Sequence, residues 1–244
     1  MASVKSAPGA VPIVALDVPD ASAARAMVLR LGAHCDFYKV GLELFAAEGP
    51  AIVEWLRREG KEVFVDLKLH DIPNTVRAAA RSIARHGASL LTVHASGGTE
   101  MMRAAVDGAA EGSPGTSTCG ILGVTILTSL DGPAVGATWG RASVDVQNEV
   151  IRLAGLARSS GAVGIVCSGH EAAAVYAAHG AALGLLVPGI RLSGGVEHDQ
   201  RRVMSPEAAS QAGARWLILG RAVTAADDPV AAMRAINEAL RGAL

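Results

Sequence analysis

The sequence predicts a (β/α)8 barrel, the TIM-barrel class of α/β folds, as a single domain. Eight short runs rich in Val, Ile and Leu alternate with amphipathic segments along 244 residues, a length that suits one such barrel. The apolar runs mostly lack polar alternation, which is typical of parallel strands buried on both faces. An open doubly wound sheet is the alternative, but Asp17-Val18-Pro19-Asp20 after the first strand is not the glycine-rich fingerprint normal in that fold.

The elements follow one another in strict β/α order. Residues 113–118 and 130–144 are predicted loops, and the second has room for a short irregular element. The predicted helices are residues 21–31, 51–59, 76–86, 100–110, 145–159, 171–179, 206–212 and 229–241. The predicted strands are residues 12–18, 37–41, 62–68, 90–95, 120–128, 164–168, 183–190 and 216–220.

Composition limits the classes of function. Residues 1–11 lack the apolar core of a signal peptide and are predicted to form a flexible tail before a catalytic barrel at 12–244. No stretch approaches ~20 uninterrupted apolar residues, so we expect a soluble, cytoplasmic protein with no membrane partner. The net charge of −1 gives no reason to expect nucleic-acid binding.

Three cysteines form no metal or disulfide pattern. Cys35, Cys119 and Cys167 are widely spaced, without a C-x-x-C, and are expected to be buried thiols in a reducing compartment. No Asp, Glu and His cluster has the spacing of a metal site, so none is predicted.

The most informative segment is Asp66-Leu67-Lys68-Leu69-His70-Asp71-Ile72-Pro73-Asn74-Thr75, between a predicted strand and a predicted helix. Because side chains alternate along a strand, Asp66 and Lys68 are expected on the same face. Burying a charge costs several kcal/mol per ion unless it is paired. An acid–ammonium cluster at an apolar strand end therefore favours a functional site over a solvated ion pair. A buried Lys, unlike Arg, can also be tuned to transfer a proton.

Polar residues recur at other predicted strand ends, where a TIM barrel builds its active site. They are Asp17, Lys39, His94 and Thr128. We interpret His94 as a structural group rather than a proton donor.

A phosphate site is predicted after strands seven and eight, its usual place in this architecture. Arg191 and Arg221 follow these strands with Gly189 and Gly220, and backbone N–H groups plus an arginine suit a phosphate dianion. A surface ion pair is the alternative for each arginine. The long segment 192–202, which contains Gln200, suggests a mobile lid rather than a plain surface loop.

Residues 66–75 resemble the signature of the orotidine 5'-phosphate decarboxylase family, Asp-x-Lys-x-x-Asp followed by Ile-Pro-x-Thr. Further blocks resemble the family's other motifs in the same order, cover nearly the whole chain and match its bacterial form, within the ribulose-phosphate-binding barrel superfamily. They are Ala15-Leu16-Asp17, Tyr38-Lys39-Val40-Gly41, Val93-His94-Ala95-Ser96-Gly97-Gly98, Leu127-Thr128-Ser129, Pro188-Gly189-Ile190-Arg191 and Leu219-Gly220-Arg221.

The resemblance implies a cofactor-free reaction in which hydrogen replaces the C6 carboxylate of orotidine 5'-phosphate, giving uridine 5'-phosphate. Lys68 would protonate C6, with Asp66 near the leaving carboxylate and Asp71 helping to hold Lys68. Asp71 and Thr75 would reach the site of a neighbouring subunit, which implies a homodimer. For the substrate, the resemblance assigns Lys39 and Asp17 to the ribose, Thr128 to the pyrimidine, and Gln200, Gly220 and Arg221, with Arg191 beside them, to the phosphate.

Two other interpretations stay open. Another phosphate-binding barrel enzyme, such as a sugar-phosphate decarboxylase, aldolase or epimerase, could share Asp-x-Lys-x-x-Asp and use magnesium. The Ile-Pro-Asn-Thr extension and the Arg191, Gln200 and Arg221 set favour the nucleotide enzyme. A non-catalytic nucleotide-binding protein is disfavoured because Asp66, Lys68 and Asp71 occur together.

Overall fold

Eight parallel strands close into a barrel in chain order, with β1 paired to both β2 and β8. The computed structural model describes residues 9–115, 118–191 and 204–242. The predicted TIM barrel is confirmed. The strands are β1 (Val11–Leu16), β2 (Phe37–Val40), β3 (Glu62–Leu69), β4 (Leu90–His94), β5 (Gly120–Val124), β6 (Gly164–Val166), β7 (Gly184–Val187) and β8 (Ala214–Leu219).

Helices follow the strands. Their bounds within the described residues are α1 (Ala21–Leu31), α2 (Leu42–Glu48), α3 (Ala51–Arg58), α4 (Pro73–Arg85), α5 (Gly98–Gly112), α6 (Gly132–Thr138), α7 (Val146–Ser159), α8 (Gly169–His179), α9 (Pro206–Gln211), α10 (Arg221–Thr224) and α11 (Pro229–Gly242).

The core has two layers because side chains alternate along each strand. Ile13 and Ala15 of β1 belong to a small cluster made by strand residues alone, which fills the barrel. Val14 and Leu16 point outward into a larger cluster shared with the helices. Burial on both faces explains why the strands read as continuous apolar runs.

Some predicted boundaries are wrong. β1 begins at Val11, which pairs with Trp216, so the predicted tail runs one residue too far. β5 ends at Val124 rather than 128, because its partner β6 has only three residues and ends at Val166. The short helices α2 and α10 were not predicted, and α6 is a regular helix within the predicted loop 130–144.

The start of α4 fixes where the segment 66–75 leaves the barrel. Ile72 has extended backbone (φ −59°, ψ 151°), and Pro73 occupies the first turn of the helix, where its missing N–H costs nothing. Asp71 therefore lies in the loop between β3 and α4, and Thr75 lies in the first turn of α4.

Candidate active site

A cavity of about 220 Å³ opens at the carboxyl ends of the strands. The predicted site residues Asp17, Lys39, Asp66, Lys68 and Thr128 contribute its polar wall. Catalytic groups in TIM barrels come from this end. Its remaining lining is apolar and consists of Phe64, Val124, Ile126, Leu127, Val166, Leu186, Pro188 and Ile218.

Four charged side chains form a line of alternating sign in the cavity. Lys39 Nζ lies 2.7 Å from Asp17 Oδ1 and 3.8 Å from Asp66 Oδ2. Lys68 Nζ lies 2.8 Å from the same Asp66 oxygen. Asp66 and Lys39 are largely buried, with side chains 13% and 9% exposed, whereas Asp17 is 61% exposed. Each buried charge has an opposite partner, which offsets much of the cost of removing it from water.

Gly41 lets the backbone pass close to the first of these ion pairs. A Cβ atom at this position would lie 2.9 Å from Lys39 Nζ and 3.1 Å from Asp17 Oδ1. Any larger residue would therefore displace the ammonium or the carboxylate. This steric limit explains why glycine occupies the last position of the block Tyr38-Lys39-Val40-Gly41.

The backbone of Lys68 is unusual. Its φ of 51° is the one positive value at a non-glycine position in residues 9–115, 118–191 and 204–242. A lysine in the left-handed region is strained and persists where its surroundings fix it, often at functional sites. Lys68 and Asp66 do meet as the sequence predicted, but the backbone at Lys68 is not that of a regular strand.

Thr92 was missed at the sequence level. Its fully buried hydroxyl donates to Asp66 Oδ1 and accepts from the Lys68 backbone N–H, both at 2.9 Å. Threonine is common in β-strands, so its presence in a predicted strand does not by itself indicate a functional role. Its position two residues before the end of β4, on the same face as His94, was the only available signal.

Asp71 and Thr75 lie outside the line of charges. The Asp71 carboxylate accepts a hydrogen bond of 2.6 Å from the Ile72 N–H and makes no ion pair within the described part of the chain. Both side chains are exposed, and so is Ile72, at 66%. Within one chain, therefore, Asp71 does not hold Lys68 in place.

His94 ends β4 beside the charged cluster. Its ring lies 5.4 Å from the ring of His70, centroid to centroid. Burial lowers the pKa of His94, and the nearby His70 and Lys68 lower it further, whereas Asp66 opposes them. A lowered pKa favours the neutral form of the imidazole. The structural role of His94 stays a prediction.

Of the predicted phosphate residues that the structure describes, none lines the cavity: Arg191, Gly220 and Arg221 all lie outside it. The Arg191 guanidinium donates to the Ile190 carbonyl at 3.1 Å, and its backbone N–H donates to the Met204 carbonyl at 3.0 Å. Gly220 follows β8 directly, and Arg221 is the first residue of the short helix α10. Gln200 and the rest of the predicted lid lie outside the described residues.

A family model described as "Orotidine 5'-phosphate decarboxylase / HUMPS family" matches residues 11–236. The chain belongs to this family. It is 53% identical to the orotidine 5'-phosphate decarboxylase of Anaeromyxobacter dehalogenans over 226 aligned residues. The alignment covers 93% of this chain and 96% of that protein. It is 46% identical to that of Moorella thermoacetica, over 92% of this chain and 89% of the relative.

Solved structures of orotidine 5'-phosphate decarboxylases have the same fold as this family member. The Lactobacillus acidophilus structure superposes with a TM-score of 0.86 at 35% identity, covering 96% of this chain and 99% of that one. The Pyrococcus horikoshii structure superposes with a TM-score of 0.75 at 25% identity, covering 95% of this chain and 100% of that one. The family resemblance predicted from the sequence, and with it the prediction of a carboxy-lyase, is confirmed.

The described part of the decarboxylase-family barrel has neither a cluster of metal-ligating side chains nor a helix that could cross a membrane. Among residues 9–115, 118–191 and 204–242, no three His, Cys, Asp or Glu side chains cluster as metal ligands would. Over that same part of the chain, no helix combines the length and hydropathy that crossing a bilayer requires.

Proposed function

We propose that this carboxy-lyase converts orotidine 5'-phosphate to uridine 5'-phosphate and carbon dioxide without a cofactor, with Lys68 as the proton donor. The observation that carries the proposal is the Lys68–Asp66 pair, 2.8 Å apart in the cavity at the carboxyl end of the barrel. Family membership and the printed names of the relatives support the substrate.

The chemistry needs a positive charge beside C6. When the bond from C6 to the carboxylate breaks, the electron pair stays on C6 and carbon dioxide leaves. The Lys68 ammonium stabilises that charge and then transfers one proton to C6. Lys68 becomes neutral in this step and regains its proton from solvent before the next turnover.

Asp66 and Lys39 orient this proton donor. Asp66 accepts from the Lys68 ammonium, lies near Lys39, and would face the departing carboxylate. Lys39 also donates to Asp17, whose exposed carboxylate is free to accept hydrogen bonds from ribose hydroxyls on its open side. Thr128, in the turn after β5 on the cavity wall, would face the pyrimidine.

A second subunit completes the site in this proposal. Asp71 makes no ion pair within the described part of its own chain, although it lies three residues after Lys68. We infer that Asp71 and Thr75 enter the partner's site in a homodimer, where Asp71 would help to hold Lys68.

The phosphate would bind beyond the ribose, at Gly220 and Arg221, with Gln200 and Arg191 nearby. A short extra helix after strand eight is the usual phosphate site of TIM barrels, and α10 occupies that place. Its first residue, Arg221, is exposed. The three cysteines are unbridged and buried, which fits a reducing compartment and supports a cytoplasmic location. Family membership supports a place in pyrimidine biosynthesis.

Replacing Arg221 with alanine should lower kcat/KM for orotidine 5'-phosphate, because a charge-assisted contact to the phosphate is lost. The loss of transition-state stabilisation calculated from the two kcat/KM values should be roughly 3 kcal/mol or more. Binding energy from the remote phosphate can be used to fix the reactive groups. Orotidine, which lacks the phosphate, should be a very poor substrate that is almost indifferent to the change.

Arg215→Ala is the matched control for Arg221→Ala. Arg215 lies on β8, near the opposite end of the barrel, and stacks on Trp216 at 4.7 Å. Its removal should leave kcat/KM unchanged for both substrates. Equal losses for orotidine and orotidine 5'-phosphate in the Arg221 variant would refute the phosphate role.

Activity should be unchanged in excess chelator and should not rise with added magnesium, since the proposed mechanism uses only side chains. The measurement is the rate of orotidine 5'-phosphate consumption before and after chelation. It separates this proposal from the magnesium-dependent sugar-phosphate enzymes that share Asp-x-Lys-x-x-Asp. Activity that disappears with chelator and returns with magnesium would favour the latter.

A further inference from the structure

We propose that Thr92 is a positioning residue for the decarboxylation, and that its hydroxyl holds the Asp66 carboxylate and the Lys68 backbone in their reactive arrangement. The inference deepens the proposed function, and its kinetic test rests on that function. Thr92 is not expected to touch the substrate, because it is fully buried behind the two charged residues.

The need for such a residue comes from a break in the strand pairing. Val65 of β3 pairs with Leu91 of β4, and the next pair is Leu69 with Val93. Three residues of β3, Asp66 to Lys68, therefore lie opposite the single residue Thr92. A bulge of this kind re-aims side chains but leaves backbone groups without their regular partners.

The Thr92 hydroxyl replaces the missing pairing. It accepts the hydrogen bond of the Lys68 N–H and donates its own hydrogen to Asp66 Oδ1, each at 2.9 Å. A hydroxyl can do both at once, whereas a methyl group can do neither. One buried side chain therefore links the backbone of the proton donor to the carboxylate that orients its ammonium.

This link bears on the strained backbone of Lys68. A φ of 51° is unfavourable for lysine and persists only when the surroundings over-determine it. Without the hydroxyl, the partly buried Lys68 N–H would lose this partner, and the residue could relax toward ordinary strand geometry. The ammonium and Asp66 would then move together, away from C6.

Replacing Thr92 with valine tests the inference, because valine keeps the shape and removes the hydroxyl. We expect kcat to fall about 10- to 100-fold, the effect of leaving a buried hydrogen-bonding group unpaired and the reactive groups misplaced. KM should change little, since the ribose and phosphate contacts remain. Thr92→Ser, which keeps the hydroxyl, should retain most of the wild-type kcat.

Thr125→Val is a matched control. Thr125 is also buried, directly after the neighbouring strand β5, and its hydroxyl donates to the Val166 carbonyl at 2.8 Å. This variant loses one buried hydrogen bond of the same kind but none to Asp66 or Lys68. It should lose stability to denaturant, though less than Thr92→Val, which loses two hydrogen bonds, and it should keep its kcat.

Hydrogen exchange at the Lys68 amide gives a readout that needs no substrate. The amide should be protected in wild type and in Thr92→Ser, and should exchange faster in Thr92→Val. An unchanged kcat in Thr92→Val, an equal loss in Thr92→Ser, or a Lys68 amide that exchanges alike in all variants would each overturn the inference. A wild-type protein that leaves orotidine 5'-phosphate unchanged would refute the proposed function, and the exchange experiment would still decide the role of Thr92.

Discussion

Replacing Lys68 with alanine should lower kcat by at least ~10⁴-fold, the upper end for a single acid–base group, while the barrel stays folded. The variant loses both the positive charge that stabilises the developing charge on C6 and the proton that C6 receives. It also leaves the largely buried Asp66 with Lys39, 3.8 Å away, as its remaining cationic partner among the described residues. Steady-state kinetics, with circular dichroism to verify folding, is the measurement.

Lys61→Ala is the matched control, because Lys61 is an ordered lysine at the opposite end of the barrel. Its ammonium donates to the Gly32 and Cys35 carbonyls and to Asp36, within 2.9 Å. Its loss should lower the free energy of unfolding and leave kcat unchanged. The assignment of Lys68 fails if Lys68→Ala keeps as much as about a tenth of wild-type activity, far more than loss of the general acid allows.

Asp71→Ala should be nearly inactive alone, and mixing it with Lys68→Ala should restore activity. If Asp71 serves the partner's site, a mixed dimer has one site with both defects and one site with neither. Statistical exchange makes half of the dimers mixed, so recovery should approach about a quarter of wild-type activity. The measurement is activity after subunit exchange that is verified independently, for example with differently tagged chains.

The control for this experiment is a mixture of Lys39→Ala with Lys68→Ala. Both lysines act in the site of their own chain, where Asp66 lies between them. Every site in that mixed dimer carries one defect, so activity should not recover. If verified mixed dimers of Asp71→Ala and Lys68→Ala also stay inactive, Asp71 acts within its own chain and the shared-site proposal is wrong.

Much of the barrel could be predicted because its strands are buried on both faces. That burial makes each strand an apolar run, and eight such runs separated by amphipathic helices have few alternative packings. α1 was predicted at its observed bounds, where Asp20 caps the first turn. The helices α2 and α10, with seven and four residues, were missed because they are too short to show a helical period.

The charged residues of the site could be predicted from their positions at strand ends, but their fine geometry could not. The left-handed backbone of Lys68 depends on a bulge and on a hydroxyl 24 residues away in sequence. No local pattern encodes such a contact across strands. The interaction of Asp71 is also hidden from a single chain, since its proposed partner belongs to another subunit.

The most direct test of the central claim is to incubate purified protein with orotidine 5'-phosphate in deuterated water with excess chelator. Ultraviolet absorbance follows substrate loss, and mass spectrometry identifies the product. The account predicts one carbon dioxide and one uridine 5'-phosphate per substrate consumed, with one deuterium at C6 of the product and no turnover by Lys68→Ala. Substrate that remains unchanged, or full turnover by Lys68→Ala, would contradict it.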